Sequence, residues 1–265
     1  MRKTVFSKKV VSENTWMITG GGCTCYLLIG ENEAVAIDTG YAKENIQQYM
    51  QALTDKPVKR CLNTHGHFSH TGGNGYFERT YMTSHALMAA TVPYEECNPE
   101  DYCLRYPITI LVDKDIIDLG GRKLEVIEIP AHSIGSVAYL DKKNKMLFTG
   151  DEVGEVSLIW KDKRQPYVED FATNMERLMQ IEKWFQTILT GHGNQAYSKK
   201  ILYDSYENGK KIIQEAAEWD VLTDDDMNAI SHYIPEIQYK RKSVYGQSMI
   251  LFDKRFIKRE KKRKV

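Results

Sequence analysis

The sequence lacks the features of a membrane-spanning or secreted chain. Its 265 residues contain no run of about 18 apolar side chains, the length that a membrane-spanning helix needs. The opening stretch MRKTVFSKKVVSENTW has no apolar core of about 7–15 residues, which a signal peptide would carry. We therefore expect a cytoplasmic protein with no membrane partner.

Several common chemical motifs are missing as well. The five cysteines include no C-x-x-C pair, which excludes the usual spacing of a structural zinc site. Cys23 and Cys25 form a C-x-C pair, which alternation along a buried strand explains. GGNGY lacks the Lys and Ser or Thr of a phosphate-binding P-loop. No Ser–His–Asp order indicates a serine hydrolase.

Charge is balanced overall but unevenly distributed. The chain has 36 basic and 36 acidic side chains, yet the last twelve residues, KRFIKREKKRKV, hold eight Lys or Arg and one Glu. A terminal basic run is typical of a solvated end of the chain, and the acidic remainder does not indicate a nucleic-acid binder. We expect one domain over residues 1–250 and a flexible basic tail over residues 251–265. We expect no nucleic-acid partner, and a homo-oligomer stays open.

Strand and helix patterns alternate along the chain. CYLLIG and AVAIDTG predict consecutive strands, and VKRCLNTH predicts a buried strand that ends at His65. Three segments predict helices: AKENIQQYMQALTDK, FATNMERLMQIEKWF and SKKILYDSYENGKKIIQEAAEW. DIIDLGGRKLEVIEIP and SVAYLDKKNKMLFTG predict hairpins, and KSVYGQSMILF predicts a late strand. Residues 91–107 contain three prolines and indicate an inserted loop or lid. This order fits two sheets packed face to face with helices outside.

Histidines concentrate where predicted strands end. Five histidines and one aspartate follow such strands directly or lie in the turns after them: His65, His67, His70, His132, His192 and Asp151. Residues at strand ends can converge on one edge of a sheet. Imidazole nitrogen suits zinc and iron, and a carboxylate compensates charge. The pattern therefore predicts a metal centre.

These segments together resemble the metallo-β-lactamase-fold hydrolases. THGHFSH is similar to the H-x-H-x-D-H signature of that family. AVAIDTG, PAHSIGSVAYLD, LFTGD and LTGHG are similar, in the same order, to its other motif segments. The resemblance covers residues from about 20 to 195. It implies an α/β fold, an αββα four-layer sandwich of two mixed β-sheets flanked by helices.

The resemblance also implies a set of ligands. A first ion would be bound by His65, His67 and His132. A second would be bound by His70 and His192, with Asp151 bridging the two. Asp38 would orient ligands without binding metal. The implied cofactor is Zn²⁺, with one or two ions per chain, and iron or manganese is an alternative.

Ser69 stands where the family signature has an aspartate. A serine hydroxyl is a weaker zinc ligand than a carboxylate, and it removes one negative charge, so the second ion should bind less tightly. Three outcomes stay open. The chain binds two ions with a weakened second site, it binds one ion at the first site, or it binds no useful metal. Asp151, His192 and Ser69 are the candidate catalytic residues.

The expected function is hydrolysis of a small-molecule substrate. A bound metal lowers the pKa of water toward about 7, and the attack would fall on an ester, thioester, lactone or lactam. Trp160, Tyr102 and Tyr167 are candidate walls of the substrate pocket. A mononuclear iron oxygenase acting on a sulfur substrate is an alternative, because two histidines and an aspartate can hold iron. A homologue that binds its ligand but is catalytically impaired by Ser69 is another.

Overall fold

A computed structural model describes residues 6–159, 166–215, 219–223, 225–226 and 236–259. The chain divides into two compact units, and each unit is assembled from three separate segments. The first unit consists of Met1–Ile129, Gly135–Gly150 and Lys183–Ser198. The second consists of Pro130–Ile134, Asp151–Glu182 and Lys199–Val265.

A seven-stranded sheet opens the first unit, and its strands are ordered as they occur along the chain. Strands β1 to β4 pair antiparallel, whereas β4 to β7 pair in parallel. The strands are β1 Ser7–Ser12, β2 Thr15–Thr19, β3 Cys25–Ile29, β4 Ala34–Ile37, β5 Val58–Leu62, β6 Arg79–Thr83 and β7 Ile108–Leu111. Since β4 and β5 are parallel, the residues that follow them meet at the same edge of the sheet.

A six-stranded sheet completes the first unit, in the order β14-β13-β11-β10-β9-β8. Both predicted hairpins are present in it, β8 with β9 and β10 with β11, and β11 pairs in parallel with β13. The strands are β8 Ile116–Asp118, β9 Lys123–Glu128, β10 Val137–Asp141, β11 Met146–Gly150, β13 Thr187–Thr190 and β14 Tyr197–Ser198.

Both sheets of the first unit contribute to one apolar core. Tyr26 and Leu62 of the first sheet pack in the same buried cluster as Val126 and Phe148 of the second. A separate cluster covers the other face of the first sheet, where helix α1 (Ile46–Gln51) buries Ile46 and Met50. Strands β3 and β4 are therefore buried on both faces, which explains why they are continuously apolar. Two four-residue helices, α2 (Phe68–Thr71) and α3 (Leu87–Ala90), complete this unit.

The second unit contains a four-stranded sheet in the order β12-β17-β16-β15 and two longer helices. Helices α4 (Val168–Gln180) and α5 (Lys200–Ile213) pack against each other, and α5 also packs on β16 and β17. Apolar residues at helical spacing, Phe171, Met175 and Leu178, are buried along α4. The strands are β12 Val156–Ile159, β15 Asp220–Val221, β16 Lys240–Tyr245 and β17 Ser248–Asp253.

The predicted α/β class is confirmed, with mixed sheets and helices, although several element boundaries differ. Strand β5 ends at Leu62 rather than at His65, because the residues that follow it turn toward α2. KSVYGQSMILF forms two strands, since Gly246 takes a left-handed φ of 57° that reverses the chain. Residues 251–253 of the predicted tail lie in β17, and residues 260–265 lie outside the described residues. Among the described helices, none combines the length and hydropathy that crossing a membrane requires.

Arg122 joins the two sheets of the first unit. Its guanidinium is buried at the start of β9 and donates from Nε to Asp141 Oδ2 over 2.7 Å. The same group reaches the β1–β2 turn, where it donates to the Asn14 carbonyl over 2.5 Å and to Thr15 Oγ1 over 2.8 Å. Burial lowers the pKa of Arg122, while the Asp141 carboxylate opposes that effect. The buried guanidinium of Arg122 therefore forms hydrogen bonds with residues of both sheets.

Arg122→Ala should lower the free energy of unfolding by about 3–5 kcal/mol, because it leaves the buried Asp141 carboxylate without its cation. Urea denaturation measures the change. Arg79→Ala is the matched control, since Arg79 is exposed and its change should cost less than about 0.5 kcal/mol. Equal stability of the two variants would contradict this role for Arg122.

Candidate metal centre

Three of the candidate ligands lie together in the first unit, on and just before helix α2. His65 and His70 are buried, and His67 is half-buried at the residue that precedes the helix. The ring centroids of His65 and His67 are 4.6 Å apart, and those of His65 and His70 are 4.2 Å apart. Ring nitrogens of each of these two pairs come within 4.8 Å of one another. The structure thus brings the three histidines of NTHGHFSH together.

Asp38 is the hydrogen-bonding hub of this cluster. It follows β4 and is buried, and its Oδ1 accepts from the Thr64 backbone N–H over 2.8 Å. Its Oδ2 accepts from Thr64 Oγ1 over 2.7 Å and from His70 Nδ1 over 2.8 Å. The backbone of Asp38 has a φ of 56°, a left-handed conformation that is costly for a residue other than glycine. Such strain is characteristic of functional sites.

The same network sets the tautomer of His65. Thr64 Oγ1 gives its proton to Asp38 and lies 3.1 Å from His65 Nδ1, so it accepts a hydrogen bond from that nitrogen. The imidazole of His65 therefore carries its proton on Nδ1, as that of His70 does beside Asp38. Nε2 is then the atom that each ring would present to a metal ion.

His132 and Asp151 lie together in the second unit. His132 is buried and donates from Nδ1 to the Leu158 carbonyl over 2.9 Å, and its Nε2 lies 3.5 Å from Asp151 Oδ2. Glu152 fixes the backbone of His132. Its buried carboxylate accepts a hydrogen bond from the His132 backbone N–H over 2.8 Å and another from Asn174 Nδ2 over 3.0 Å. His132 is thus held from its backbone and from its ring.

These donors fit a zinc ion chemically. Nitrogen and oxygen ligands lie about 2.0–2.2 Å from zinc, so two ligands of one tetrahedral ion are roughly 3.3 Å apart. The 3.5 Å between His132 Nε2 and Asp151 Oδ2 matches that spacing. Hydrogen bonds from Nδ1 of His65, His70 and His132 orient the rings as partners of metal-binding histidines do.

His192 lies after β13 in the first unit and is exposed, with its ring centroid 5.4 Å from that of His70. Its loop is anchored on both sides, since the Thr24 backbone N–H donates to the Gly191 carbonyl over 2.8 Å and Thr24 Oγ1 donates to the Gly193 carbonyl over 2.6 Å. His192 is therefore beside the histidine cluster but less enclosed than its neighbours.

Ser69 is buried on helix α2 and contacts Tyr94 of the inserted segment. Ser69 Oγ lies 2.9 Å from Tyr94 Oη, and the Ser69 backbone N–H donates to the same oxygen over 3.3 Å. Residues 91–107 form an irregular segment with a single 3₁₀ turn, which agrees with the predicted loop. Nothing in the sequence pattern paired Tyr94 with Ser69, because the two residues meet only through the tertiary fold.

The predicted pocket residues have different surroundings. Tyr102 packs edge-on against Phe68 of helix α2 at 4.8 Å and donates its hydroxyl to the Tyr41 carbonyl over 2.9 Å. Burial raises the pKa of Tyr102, with the Cys97 side chain adding to the effect. Tyr167 precedes α4 in the second unit and contacts Phe256 at 5.8 Å. Trp160 lies outside the described residues.

Sequence reasoning missed Thr64, Tyr94 and Glu152, each of which contacts a candidate site residue. Glu152 had one sequence signal, its position directly after Asp151, whereas Tyr94 had none beyond lying in the insertion. Cys25 lies in β3, as alternation along a strand predicts, but Cys23 precedes the strand and lies beside His70, so the strand prediction is wrong for Cys23. Burial raises the pKa of the Cys23 thiol well above its usual value, with Cys25 adding to the effect and His70 opposing it. The thiol is therefore protonated near neutral pH.

Comparison with known proteins identifies the family of the chain. Residues 18–214 match the family model described as the metallo-beta-lactamase superfamily. The chain is 29% identical over 212 residues to a human protein named acyl-coenzyme A thioesterase MBLAC2, covering 66% of this chain and 75% of that protein. It is 33% identical over 132 residues to a hydroxyacylglutathione hydrolase of Pelagibacter ubique, covering 48% of this chain and 49% of that protein.

A solved structure shows the same fold. A metallo-beta-lactamase from Pontibacter korlensis superposes with a TM-score of 0.60 at 20% identity, covering 78% of this chain and 99% of that one. At 20% identity, this similarity shows the fold alone.

Asp38→Asn should weaken zinc binding by about 10–100-fold, because an amide nitrogen accepts no hydrogen bond and the contacts from Thr64 and His70 cannot all be kept. Asparagine tolerates the left-handed backbone at this position, so the fold should persist. Competition with a chromophoric chelator measures the affinity. Asp55→Asn, in an exposed turn, is the control, and an unchanged zinc affinity in Asp38→Asn would refute the role of Asp38.

Proposed function

Because the chain belongs to the metallo-beta-lactamase superfamily, we propose that it is a zinc-dependent hydrolase of thioesters. Membership rests on the family match over residues 18–214. The observation that carries the proposal is the hydrogen bonding of His65, His70 and His132, each of which donates from Nδ1 to a fixed acceptor. Packing of the three rings does not require these hydrogen bonds. Metal binding does, because they orient Nε2 of each ring toward an ion.

The proposed ligands follow the family motif residue by residue. A first zinc ion would be bound by His65, His67 and His132. A second would be bound by His70, His192 and Asp151, with Asp151 shared between the two. Ser69 contributes no carboxylate, and its hydroxyl is hydrogen-bonded to Tyr94. The second site is therefore expected to be the weaker one.

A bound zinc ion would lower the pKa of a coordinated water and polarise the substrate carbonyl. The residues of the chain would orient the metal ligands. Asp38 and the Leu158 carbonyl keep the histidine rings in one tautomer and one orientation. Asp151 would contribute its carboxylate as a ligand, and its Oδ2 lies 3.5 Å from His132 Nε2. Hydrolysis adds the oxygen of water to the acyl carbon, breaks the carbon–sulfur bond and delivers a proton to the leaving sulfur.

The names of the relatives favour a thioester over the other acyl compounds. MBLAC2 is named as a thioesterase acting on acyl-coenzyme A, and its similarity extends over 66% of this chain. The Pelagibacter protein is named as a hydrolase of hydroxyacylglutathione, and an acyl group on the glutathione sulfur is also a thioester. We therefore place the acyl–sulfur bond ahead of the ester, lactone and lactam alternatives.

The zinc-loaded protein should hydrolyse acyl-coenzyme A thioesters, and release of the free thiol can be followed with a chromogenic thiol reagent. Chelation should abolish the activity and zinc should restore it, because the reaction depends on the metal. Oxygen uptake by an iron-loaded sample with a sulfur substrate would favour the oxygenase alternative. Substrate binding without thiol release from zinc-loaded protein would favour a catalytically impaired homologue.

His132→Ala should lose the first zinc ion, about one per chain, since two histidines alone bind zinc weakly. Metal analysis of dialysed protein measures the stoichiometry, and circular dichroism checks that the variant is folded. His85→Ala is the matched control, because His85 is exposed and is not a proposed ligand. An unchanged zinc content in His132→Ala would overturn the ligand assignment.

A further inference from the structure

The backbone carbonyl of His70 is approached by three hydrogen-bond donors. Asn63 Nδ2 donates to it over 3.0 Å, and the Thr39 backbone N–H also donates to it over 3.0 Å. Thr39 Oγ1 lies 3.1 Å from the same oxygen. A carbonyl oxygen has two lone pairs, so three donors occupy it fully. This proposed ligand is therefore held by its backbone as well as by the contact of its ring with Asp38.

Asn63 belongs to a reciprocal pair of buried amides. Its Nδ2 also donates to Asn74 Oδ1 over 3.1 Å, and Asn74 Nδ2 donates back to Asn63 Oδ1 over 2.9 Å. Because the His70 carbonyl can only accept, the nitrogen of Asn63 must face it, and that choice fixes the orientation of both amides. Both side chains are buried, so water would not replace a hydrogen bond lost from this pair.

The second proton of the Asn74 amide extends this network to the segment 91–107. Asn74 Nδ2 donates to Tyr106 Oη over 3.1 Å, and the Tyr106 hydroxyl donates to the Ala90 carbonyl over 3.1 Å. Every amide proton of the pair therefore has an acceptor. A continuous line of hydrogen bonds runs from Tyr106 to the His70 carbonyl.

Helix α2 needs support of this kind because it is very short. It has four residues, Phe68–Thr71, and a helix of that length is not stable by itself in water. Hydrogen bonds from outside the helix therefore determine where the backbone of His70 lies. A fully satisfied buried polar network is rigid, whereas apolar side chains would fill the same space without fixing the carbonyl.

We propose that Asn63, oriented by Asn74, is a positioning residue that fixes His70 for the second metal ion. The inference rests on the proposed function, in which His70 binds that ion. Asp38 sets the direction of the imidazole ring, and the amide pair sets the position of the backbone that carries the ring. Groups that hold a ligand in place in this way raise the affinity of the site for its metal.

Asn63→Leu removes the amide donor and keeps a side chain of similar shape. The affinity for the second zinc ion should fall by about 10–100-fold, because the His70 backbone loses its amide donor. The affinity for the first zinc ion should change by less than about twofold. Competition with a chromophoric chelator measures both affinities.

Asn208→Leu is the matched control. Asn208 is a buried asparagine of the second unit, and its Nδ2 donates to the carbonyls of Ser243 and Ser248, both over 3.0 Å. Its Oδ1 accepts from Ser243 Oγ over 2.6 Å. Urea denaturation should show both variants to be less stable than the native protein, since each loses buried hydrogen bonds. Only Asn63→Leu should lose affinity for the second ion.

Cobalt(II) provides a second readout, one that reports the geometry of the site. The visible absorption bands of a bound cobalt ion depend on the arrangement of its ligands. The bands of the second cobalt ion should shift in Asn63→Leu and stay in place in Asn208→Leu. A purely structural role for Asn63 would lower stability without moving these bands.

Variants of Thr39 keep the test decisive if Asn63→Leu does not fold. Thr39→Val removes the hydroxyl that lies near the His70 carbonyl and near Asn74 Oδ1, while the backbone N–H remains. It should weaken binding of the second zinc ion by about three- to tenfold. Thr39→Ser keeps the hydroxyl and should restore the native affinity.

Three results would overturn the inference. One is a second-ion affinity within about twofold of the native value in folded Asn63→Leu or, if that variant does not fold, in Thr39→Val. Another is an equal loss in Asn208→Leu, which would make the effect one of general stability. The third is a native protein that binds a single zinc ion. Thioester hydrolysis by the native protein is measured separately, so the proposed function can stand when this inference fails.

Discussion

The carboxylate of Asp38 is the interaction on which the histidine cluster of the first unit depends. It accepts from the Thr64 backbone, the Thr64 hydroxyl and His70 Nδ1, all within 2.8 Å. Through Thr64 it also determines the tautomer of His65. The backbone that holds this carboxylate is left-handed directly after β4, with a φ of 56° at Asp38, which is a strained conformation for a residue other than glycine.

The hydrogen bonds of Asp38 do not involve the side chain at position 69. The rings of His65 and His70 are oriented by Asp38 and Thr64, not by their neighbour on helix α2. Ser69 offers no carboxylate to a second ion, and its hydroxyl contacts Tyr94 of the segment 91–107. The proposed weaker second site therefore follows from the side chain at position 69 and not from a loss of order in the histidine rings.

Much of the fold could be predicted because the relevant signals are local. Continuous apolar runs marked β3 and β4, and helical spacing marked α1 and α4. The hairpin around Gly120 and Gly121 followed from turn chemistry. Strand β5 was predicted three residues too long, because residues 63–65 continue the apolar-to-polar pattern of a strand while their backbone already turns toward α2. The division into two units from interleaved segments has no local signature.

The sequence by itself determined the family and indicated a metal-binding site, because the residue types and spacing within NTHGHFSH and four further motif segments are properties of short stretches of chain. It also marked Asp38, His132, Asp151 and His192 as residues that follow strands. Only the tertiary structure decided which acceptor each histidine meets and that Ser69 pairs with Tyr94, 25 residues away. Such contacts depend on how distant segments pack, and no short-range pattern in the chain encodes them.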